Sequence, residues 1–406
     1  MSNKTEFFLP SPNRLLSLDI LRGLTIAGMI IVNDPGSWST VYPMLRHADW
    51  HGITPTDLVF PFFLFIVGVS ITLSYTKQLK INAPKGKMIG KIFKRTAIIF
   101  TLGVFLWLFP KFDFAGVRIP GVLQRIALVF GATSILFIYQ NHWKRQVIIT
   151  IALLIGYWIL MTLIPVPIDE TILGVLETGQ AKASSGMIDV LTSTKISDNL
   201  IAANLEPATN LEAWIDRQVI PFRLYQYTWD PEGLLSTLPS IASATTGILI
   251  GQLWLSKNKP EKKVIWMFVI GFAWLVIGAI WHYAFPINKN LWTSSYVLFT
   301  SGLCTLLFAS CIWLVDLQGY QKGIFPFVVF GTNAITAYVL HGILNTPVEA
   351  KVFNGRESSL KSMIYDGLQN IGLSANLSSF LWALFYTWIV YVIVWTMYKR
   401  KIFLKV

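Results

Sequence analysis

Two histidines and two aspartates stand together in LRHADWHGITPTDLVFPFFLFIVG, residues 45–68, directly before a long apolar run. His47 is the candidate for proton transfer or nucleophilic attack, because an ordinary imidazole, with a pKa of about 6.5, exchanges protons at neutral pH. Amide or carboxylate side chains in the same turn region, such as Asn33, Asp34 and Asp49, can fix the tautomer of its ring. The alternative for any single loop histidine is a solvated or merely packed side chain.

Metal binding is a second interpretation of the same stretch. The HxxxH spacing of His47 and His51 suits zinc only if both lie on one helix. Gly52 and Pro55 predict a turn instead. We therefore predict no metal here, and we favour a catalytic base or nucleophile.

The composition shows which kind of element must position these residues. The chain has 406 residues, a mean hydropathy of +0.56 and 13% charged residues, whereas soluble domains average about 25% charged residues. This is typical of a membrane protein. Basic residues of membrane proteins concentrate in cytoplasmic loops, and this accounts for the net charge of +12. We therefore predict no nucleic-acid partner. Cys304 and Cys311 share one apolar run and are expected to be packing residues.

Ten apolar segments are long enough to be candidate membrane spans, which need about 20 residues. They predict an all-α fold: one bundle of about ten transmembrane helices forming a single domain over residues 1–406. The loop 165–232 carries ten acidic residues and is a candidate cap over the bundle. The segments are 15–32, 58–75, 96–110, 122–139, 147–164, 234–255, 264–281, 291–315, 324–345 and 380–397.

Basic residues predict how the bundle is oriented. The N-terminus, alternate loops (76–95, 140–146, 256–263 and 316–322) and the C-terminal tail carry 20 Lys and Arg, and the opposite loops carry 11. Because the richer side is usually cytoplasmic, both termini are predicted to be cytoplasmic. His47 and the loop 165–232 then lie on the far side of the membrane. The lysines of 76–95 have two interpretations, orientation alone or binding of phosphates.

Charged groups inside spans are costly and are candidate functional residues. Asp19 and Arg22 lie three apart on one face of the first helix. They form either an ion pair that holds two helices together or a site for an anionic group entering from the cytoplasm. Arg125 is predicted to lie near the depth of Asp57, with which it can pair.

Six blocks, in order along the chain, carry a family resemblance: RLLSLDILRGLTIAGMIIVNDPG, HADWHGITPTDLVFPFFLFIVG, RIPGVLQRIAL, DPEGLLSTLPS, NKNLWTSSYVL and GTNAITAYVLHG. Together they resemble the heparan-alpha-glucosaminide N-acetyltransferase family. The His-Ala-x-Trp-x-Gly block followed by Asp-Leu-Val-Phe-Pro is specific, whereas SLDxLRG alone also resembles other membrane acyltransferases. Without the large lumenal N-terminal region and extra anchoring helix of the animal enzymes, the chain looks like a bacterial member.

The resemblance implies transfer of acetyl from cytosolic acetyl-CoA, a co-substrate, to the amine of a glucosamine on the far side of the membrane, with no metal. His47 matches the family's active histidine, Asn33 the asparagine that accompanies it, and Asp57 the aspartate of the DLVFP block. Asp34, Asp49 and His51 are assigned to acceptor binding, and an asparagine stands in the animal enzymes where this chain has His51. We assign the following residues to acetyl-CoA: Arg22, Arg125, Asn288, Lys289, Asn290, Asn333 and His341.

The expected location is a bacterial inner membrane, with a homodimer implied by the resemblance and the lipid bilayer as a partner. Free glucosamine or a de-N-acetylated envelope sugar is the expected acceptor. His47 acts either as a base for the sugar amine or as an acetyl-carrying nucleophile. The rival function is an amino-sugar transporter, since Gly and Pro breaks in apolar helices also suit alternating access. A noncatalytic scaffold is a third class.

Overall fold

The computed structural model describes residues 15–170, 172–173, 195–197, 199–351 and 358–404. The chain is mostly helical, at 69%, and each of the ten predicted apolar segments overlaps a helix. The α-helices are α1 Leu16–Asn33, α2 Val59–Lys80, α3 Lys85–Leu108, α4 Val122–Tyr139, α5 Trp143–Leu163, α6 Leu211–Val219, α7 Thr237–Trp254, α8 Pro260–Trp281, α9 Ser294–Cys311, α10 Phe325–Thr332, α11 Ala334–Glu349, α12 Leu360–Asn370 and α13 Ala375–Lys399. Short 3-10 turns cover Trp38–Thr40, Pro43–Leu45 and Pro55–Leu58, and a π-helical turn, Ile312–Leu317, continues α9.

The chain divides into two compact units. The first contains residues up to 42, 257–270 and 304–405, and its helices include α1, α10, α11, α12 and α13. In it α1 and α10 pack at very short range through glycines. A Cβ on Gly23 would lie 1.8 Å from the carbonyl oxygen of Phe327, and one on Gly331 would lie 1.9 Å from that of Asp19. Small residues at such crossings let two backbones meet.

The second unit contains residues 43–256 and 271–303. Its centre is a close crossing of α2 and α7, where a Cβ on Gly68 would lie 1.8 Å from the carbonyl oxygen of Ala244. The reciprocal glycine is Gly247, whose Cβ would lie 2.0 Å from the carbonyl oxygen of Phe65. This unit holds the turn region around His47.

A small antiparallel sheet, which an all-α prediction does not include, lies in the second unit. Its strands are β1 Val166–Pro167, β2 Lys195–Ser197 and β3 Leu200–Ile201, in the order β1-β3-β2. Val166 pairs with Ile201, and both are buried in a core that includes Tyr157 and Leu211. The sheet and α6 belong to the predicted cap 165–232, of which residues 171, 174–194 and 198 lie outside the described residues.

Among the described residues, seven helices are long and apolar enough to cross a membrane. An eighth is counted if α10 and α11, bent by 85° at Asn333, form one broken span. The predicted count of ten is therefore not reached. Two predicted spans fall short, α3 because its first half is basic and α7 because it is rich in Ser and Thr.

The predicted loop 76–95 is largely helical, which corrects the sequence interpretation. α2 continues to Lys80 and α3 begins at Lys85, so the connection is only 81–84. Lys and Met are good helix formers, and a basic amphipathic turn extends a helix beyond its apolar part. The basic residues of this region therefore lie mostly on helices.

Candidate active site

The turn region before α2 is built around the buried carboxylate of Asp57. Its Oδ2 accepts hydrogen bonds from the backbone N–H of Thr54 at 3.0 Å and of Ala48 at 3.1 Å. Thr54 and Asp57 form a capping box on the 3-10 turn that leads into α2. The sequence TPTD thus folds into a helix cap, and Asp57 is held with 1% of its side chain exposed.

The other oxygen of this carboxylate meets the candidate histidine. Asp57 Oδ1 lies 2.7 Å from His47 Nδ1. Since an ionised carboxylate only accepts, the ring donates through Nδ1–H and keeps a free lone pair on Nε2. The His47 side chain is 46% exposed. Its reactive nitrogen is therefore oriented by Asp57 yet open to a substrate.

Lys289 lies over the same imidazole. Its Nζ is 2.9 Å from Nδ1 and 3.1 Å from Nε2 of His47, and 3.7 Å from Asp57 Oδ1. Because Nδ1–H points to Asp57, the ammonium does not donate to Nδ1, and it lies over the ring close to Nε2. Burial lowers the pKa of Lys289, and the Asp57 carboxylate offsets part of that effect. A cation thus stands beside the nitrogen that would react.

The loop that carries Lys289 is fixed by Asn288. This buried side chain accepts a hydrogen bond from the N–H of Leu291 at 2.9 Å, and its Nδ2 lies 3.3 Å from Nδ1 of His51. Burial lowers the pKa of His51, which favours its neutral form. Asn290 lies half-buried in the same loop, and Asp49 is exposed in the turn region. The structure thus brings His47, His51, Asp57, Asn288 and Lys289 together.

Two arginines fix the chain segment before α7. Arg118, which the sequence analysis missed, is buried and pairs with Asp230 and Glu232. Both Arg118 and Asp230 lie in blocks quoted above, but they are 112 positions apart in the sequence, so nothing in the sequence indicated that they pair. Arg125 donates to the carbonyl of Gly233 at 2.9 Å and to the hydroxyl of Ser236.

The pairing of Arg125 with Asp57, which the sequence left open, is not formed. Asp57 bonds to His47 and the Thr54 turn, whereas the guanidinium of Arg125 bonds to Gly233 and Ser236 and lies 5.4 Å from the centroid of the Trp292 ring. The physical reason is competition: the turn already satisfies both carboxylate oxygens of Asp57.

The long loop touches the turn region through tryptophans. The indole N–H of Trp50 donates to the carbonyl of Leu205 at 2.9 Å. The rings of Trp50 and Trp229 meet edge to face with centroids 5.0 Å apart. These contacts place part of the 165–232 segment directly against the residues next to His47.

The remaining predicted residues lie in the first unit. Asp34, 3% exposed, lies 3.0 Å from His341 through Oδ2 and Nδ1, a pair that sequence reasoning assigned to different roles because 307 residues separate them. Asn33 is exposed at the end of α1. Asn333 is buried and donates to the carbonyl of Ile402 at 3.3 Å.

Arg22 and Asp19 form the predicted i, i+3 pair at 3.2 Å. Arg22 also donates to the carbonyl of Gly331 at 3.2 Å, so it links α1 to α10. This geometry accounts for the helix-bridging alternative, and the anion-binding alternative stays a prediction.

The chain is similar to known proteins. The sequence model of the family described as "Heparan-alpha-glucosaminide N-acetyltransferase, catalytic" matches residues 14–184. A heparan-alpha-glucosaminide N-acetyltransferase of Mus musculus is 30% identical over 440 aligned positions, which cover 98% of this chain and 61% of the mouse protein. The Homo sapiens protein of the same name is 27% identical over 437 positions, which cover 97% of this chain and 60% of the human protein. The chain thus spans about three-fifths of the length of these relatives.

Proposed function

The chain belongs to the heparan-alpha-glucosaminide N-acetyltransferase family, and we propose that it moves acetyl from acetyl-CoA to the amine of glucosamine or a related amino sugar. The observation that carries this proposal is the arrangement of three side chains: Asp57 Oδ1 lies 2.7 Å from His47 Nδ1, and Lys289 Nζ lies 3.1 Å from His47 Nε2. It combines an oriented imidazole with a neighbouring cation. An acyl transfer needs both a base or nucleophile and a group that stabilises negative charge on oxygen.

His47 acts through Nε2 in either of two routes. As a base it removes a proton from the sugar ammonium, and the amine then attacks the thioester carbonyl and releases CoA as its thiol. As a nucleophile it attacks the thioester carbonyl through Nε2, the C–S bond breaks and CoA leaves as its thiol. The acetyl-imidazole that forms is attacked by the sugar amine in a second step, which returns the free imidazole. In both routes Asp57 stabilises the positive ring, and the Lys289 ammonium beside Nε2 donates to the oxygen of the tetrahedral intermediate.

The two substrates are proposed to arrive from opposite sides. Basic residues concentrate on the side predicted to be cytoplasmic, where nucleotide phosphates would meet them. The turn region of His47 lies on the other side, next to the tryptophan-bearing long loop. The proposal includes a bacterial inner membrane, both termini in the cytoplasm, acetyl-CoA contacts at Arg22 and His341, and a homodimer.

A screen of amino sugars with radiolabelled acetyl-CoA tests the function on purified protein in detergent. We expect acetylation of glucosamine or a related sugar, and His47→Ala to bind acetyl-CoA while transfer falls by about 10²–10⁴-fold. His142→Ala, a histidine at the N-cap of α5 far from the turn region in sequence, is the matched control. Acetylation by His47→Ala at the wild-type rate would remove His47 from the mechanism. Sugar accumulation in proteoliposomes without any acetylation would identify a transporter.

A further inference from the structure

Two buried carboxyl groups on α6 have no part in the mechanism above. Glu212 is 2% exposed and Asp216 is 0% exposed. They are four residues apart and therefore share one face of the helix. Burying two ionised carboxylates costs free energy, so each charge must be either paired with a cation or removed by protonation.

The contacts of the Tyr157 hydroxyl, on α5, indicate whether the Glu212 carboxyl carries a hydrogen. Its oxygen lies 2.6 Å from the carbonyl oxygen of Leu291 and 3.1 Å from Glu212 Oε2. A phenol has one hydrogen, and a carbonyl can only accept. The shorter contact to Leu291 therefore takes the hydrogen of Tyr157, and the contact to Glu212 needs a hydrogen supplied by the carboxyl group itself.

The remaining oxygens of the pair receive few hydrogen bonds that could compensate a second buried negative charge. Asp216 Oδ1 accepts from the N–H of Leu234 at 2.8 Å, and Glu212 Oε1 accepts from the N–H of Ser236 at 3.3 Å. Among the described residues, Asp216 Oδ2 has no hydrogen-bond partner. A Cβ on Gly233 would lie 2.0 Å from this oxygen and 2.7 Å from Glu212 Oε1, so the two carboxyls converge on one bare Cα.

The charges facing the pair balance only if one proton is held. Arg125 of α4 is the cation that faces both carboxyls, while Arg217 on α6 is bound to Asp169 at 2.7 Å. Asp230, which shares the cation Arg118 with Glu232, also lies near Asp216 and adds negative charge to its surroundings. Burial raises the pKa of Asp216 to about 7 and raises the pKa of Glu212 well above its usual range.

We propose that Glu212 stays protonated at neutral pH and acts as a positioning residue for Lys289. The hydrogen-bond chain runs from the Glu212 carboxyl to the Tyr157 hydroxyl and on to the carbonyl of Leu291. The N–H of Leu291 in turn donates to Asn288, the residue before Lys289. Losing the proton breaks the first bond of this chain and loosens the loop that holds the Lys289 ammonium 3.1 Å from His47 Nε2. This inference rests on the proposed function.

Rescue by the conservative variant tests the claim. Glu212→Gln keeps an N–H that can donate to Tyr157, so we expect transfer at neutral pH within about threefold of wild type. Glu212→Ala removes the bond, and a loss of at least about tenfold is expected, because small displacements of reacting groups reduce rates strongly. Glu261→Gln, at an exposed position in the first turn of α8, is the matched control. If Glu212→Gln is as inactive as Glu212→Ala, an ionised carboxylate is needed and the proposal is wrong.

Thermal unfolding provides a readout that needs no acetyl transfer. A carboxyl with a raised pKa in the folded state contributes stability while it is protonated and loses that contribution as the pH rises through the folded pKa. Because the pKa of Glu212 is raised well above its usual range, we expect the unfolding temperature of the wild type to fall as the pH rises above that usual range. The fall should be smaller in Glu212→Gln and unchanged in Glu261→Gln. If the wild type and Glu212→Gln show the same dependence of unfolding temperature on pH, the proposal is wrong. This comparison can be made even if Glu212→Ala does not fold. If the wild-type protein acetylates no amino sugar, the proposed function is refuted. The pH dependence of the unfolding temperature would still test whether Glu212 is protonated.

Discussion

At His47 the partner of one ring nitrogen determines the chemistry of the other. The carboxylate of Asp57 is held by the Thr54 turn and accepts from Nδ1, so the lone pair of the ring is on Nε2. The turn thus orients the imidazole before any substrate arrives. Preorganisation of this kind reduces the reorganisation needed at the moment of reaction.

The charge of Lys289 is expected to control the alkaline side of the pH profile. Burial lowers the pKa of this ammonium, so it is lost at a lower pH than that of an ordinary lysine, and transfer should fall as the pH rises through that value. Lys289→Met should reduce kcat/KM by about 10²–10³-fold, as expected for loss of a group that stabilises an oxyanion. Lys289→Arg keeps its charge, and its decline should move to higher pH. The measurement is kcat/KM against pH for the three proteins.

The control for this prediction is Lys257→Met, which removes an exposed lysine outside the proposed site. Its pH profile should match the wild type. If Lys289→Arg instead declines at the same alkaline pH as the wild type, the titrating group is not Lys289.

Sequence reasoning identified most single residues of this site but not their pairing. His47 and Asp57 are ten residues apart and belong to one motif, so the motif predicted both. Lys289 was assigned to acetyl-CoA, because nothing in the NKNLW block indicates that its ammonium contacts the imidazole of His47, 242 residues earlier in the chain. Asp34 and His341 were separated for the same reason. Pairing across such distances depends on helix packing, which a single sequence does not specify.

Among the elements, α2 and α7 cross at very short range because glycines face carbonyl groups. Gly68→Val would place a side chain where the Ala244 oxygen stands, 1.8 Å from the new Cβ. We expect destabilisation beyond the roughly 1–3 kcal/mol typical of overpacking, since backbone must move. The purified variant should unfold at a lower temperature or aggregate on size exclusion.

Gly156→Val is the matched control for this crossing. Gly156 lies on α5 with nothing within 4 Å of a built Cβ, and the variant changes helix propensity in the same way. Equal unfolding temperatures for the two variants would show that the close approach of α2 and α7 is unimportant for stability.

Helix positions were predictable from apolar runs, whereas their ends and breaks were not. The segment 324–345 reads as one span, yet the chain bends by 85° at Asn333, where a buried amide takes the carbonyl of Ile402 as its partner. The basic half of α3 was read as a loop because its lysines hide its helical character. The strands β1 to β3 are two or three residues long, too short for an alternating pattern to appear.

For the whole molecule, the uneven distribution of basic residues is the property on which the proposed two-sided reaction depends. With 20 Lys and Arg on one set of loops and 11 on the other, the richer set is expected in the cytoplasm. Acetyl-CoA is polyanionic and does not cross lipid unaided. In the proposed reaction the direction of transfer therefore follows from the orientation of the chain.

Single-cysteine labelling in intact cells tests this orientation. Cys304 and Cys311 are the two cysteines of the sequence and both are buried. The double variant Cys304→Ala, Cys311→Ala therefore provides a silent background, a protein with no cysteine to react with a maleimide. Lys257→Cys, on the basic side, should react with a membrane-impermeant maleimide only after the cells are opened. Lys111→Cys changes an exposed residue that is predicted to lie on the opposite side, and it should react in intact cells. Labelling of both from the same side would refute the topology, and the two-sided transfer with it, while transfer by the silent background confirms that the labelled protein is the active form.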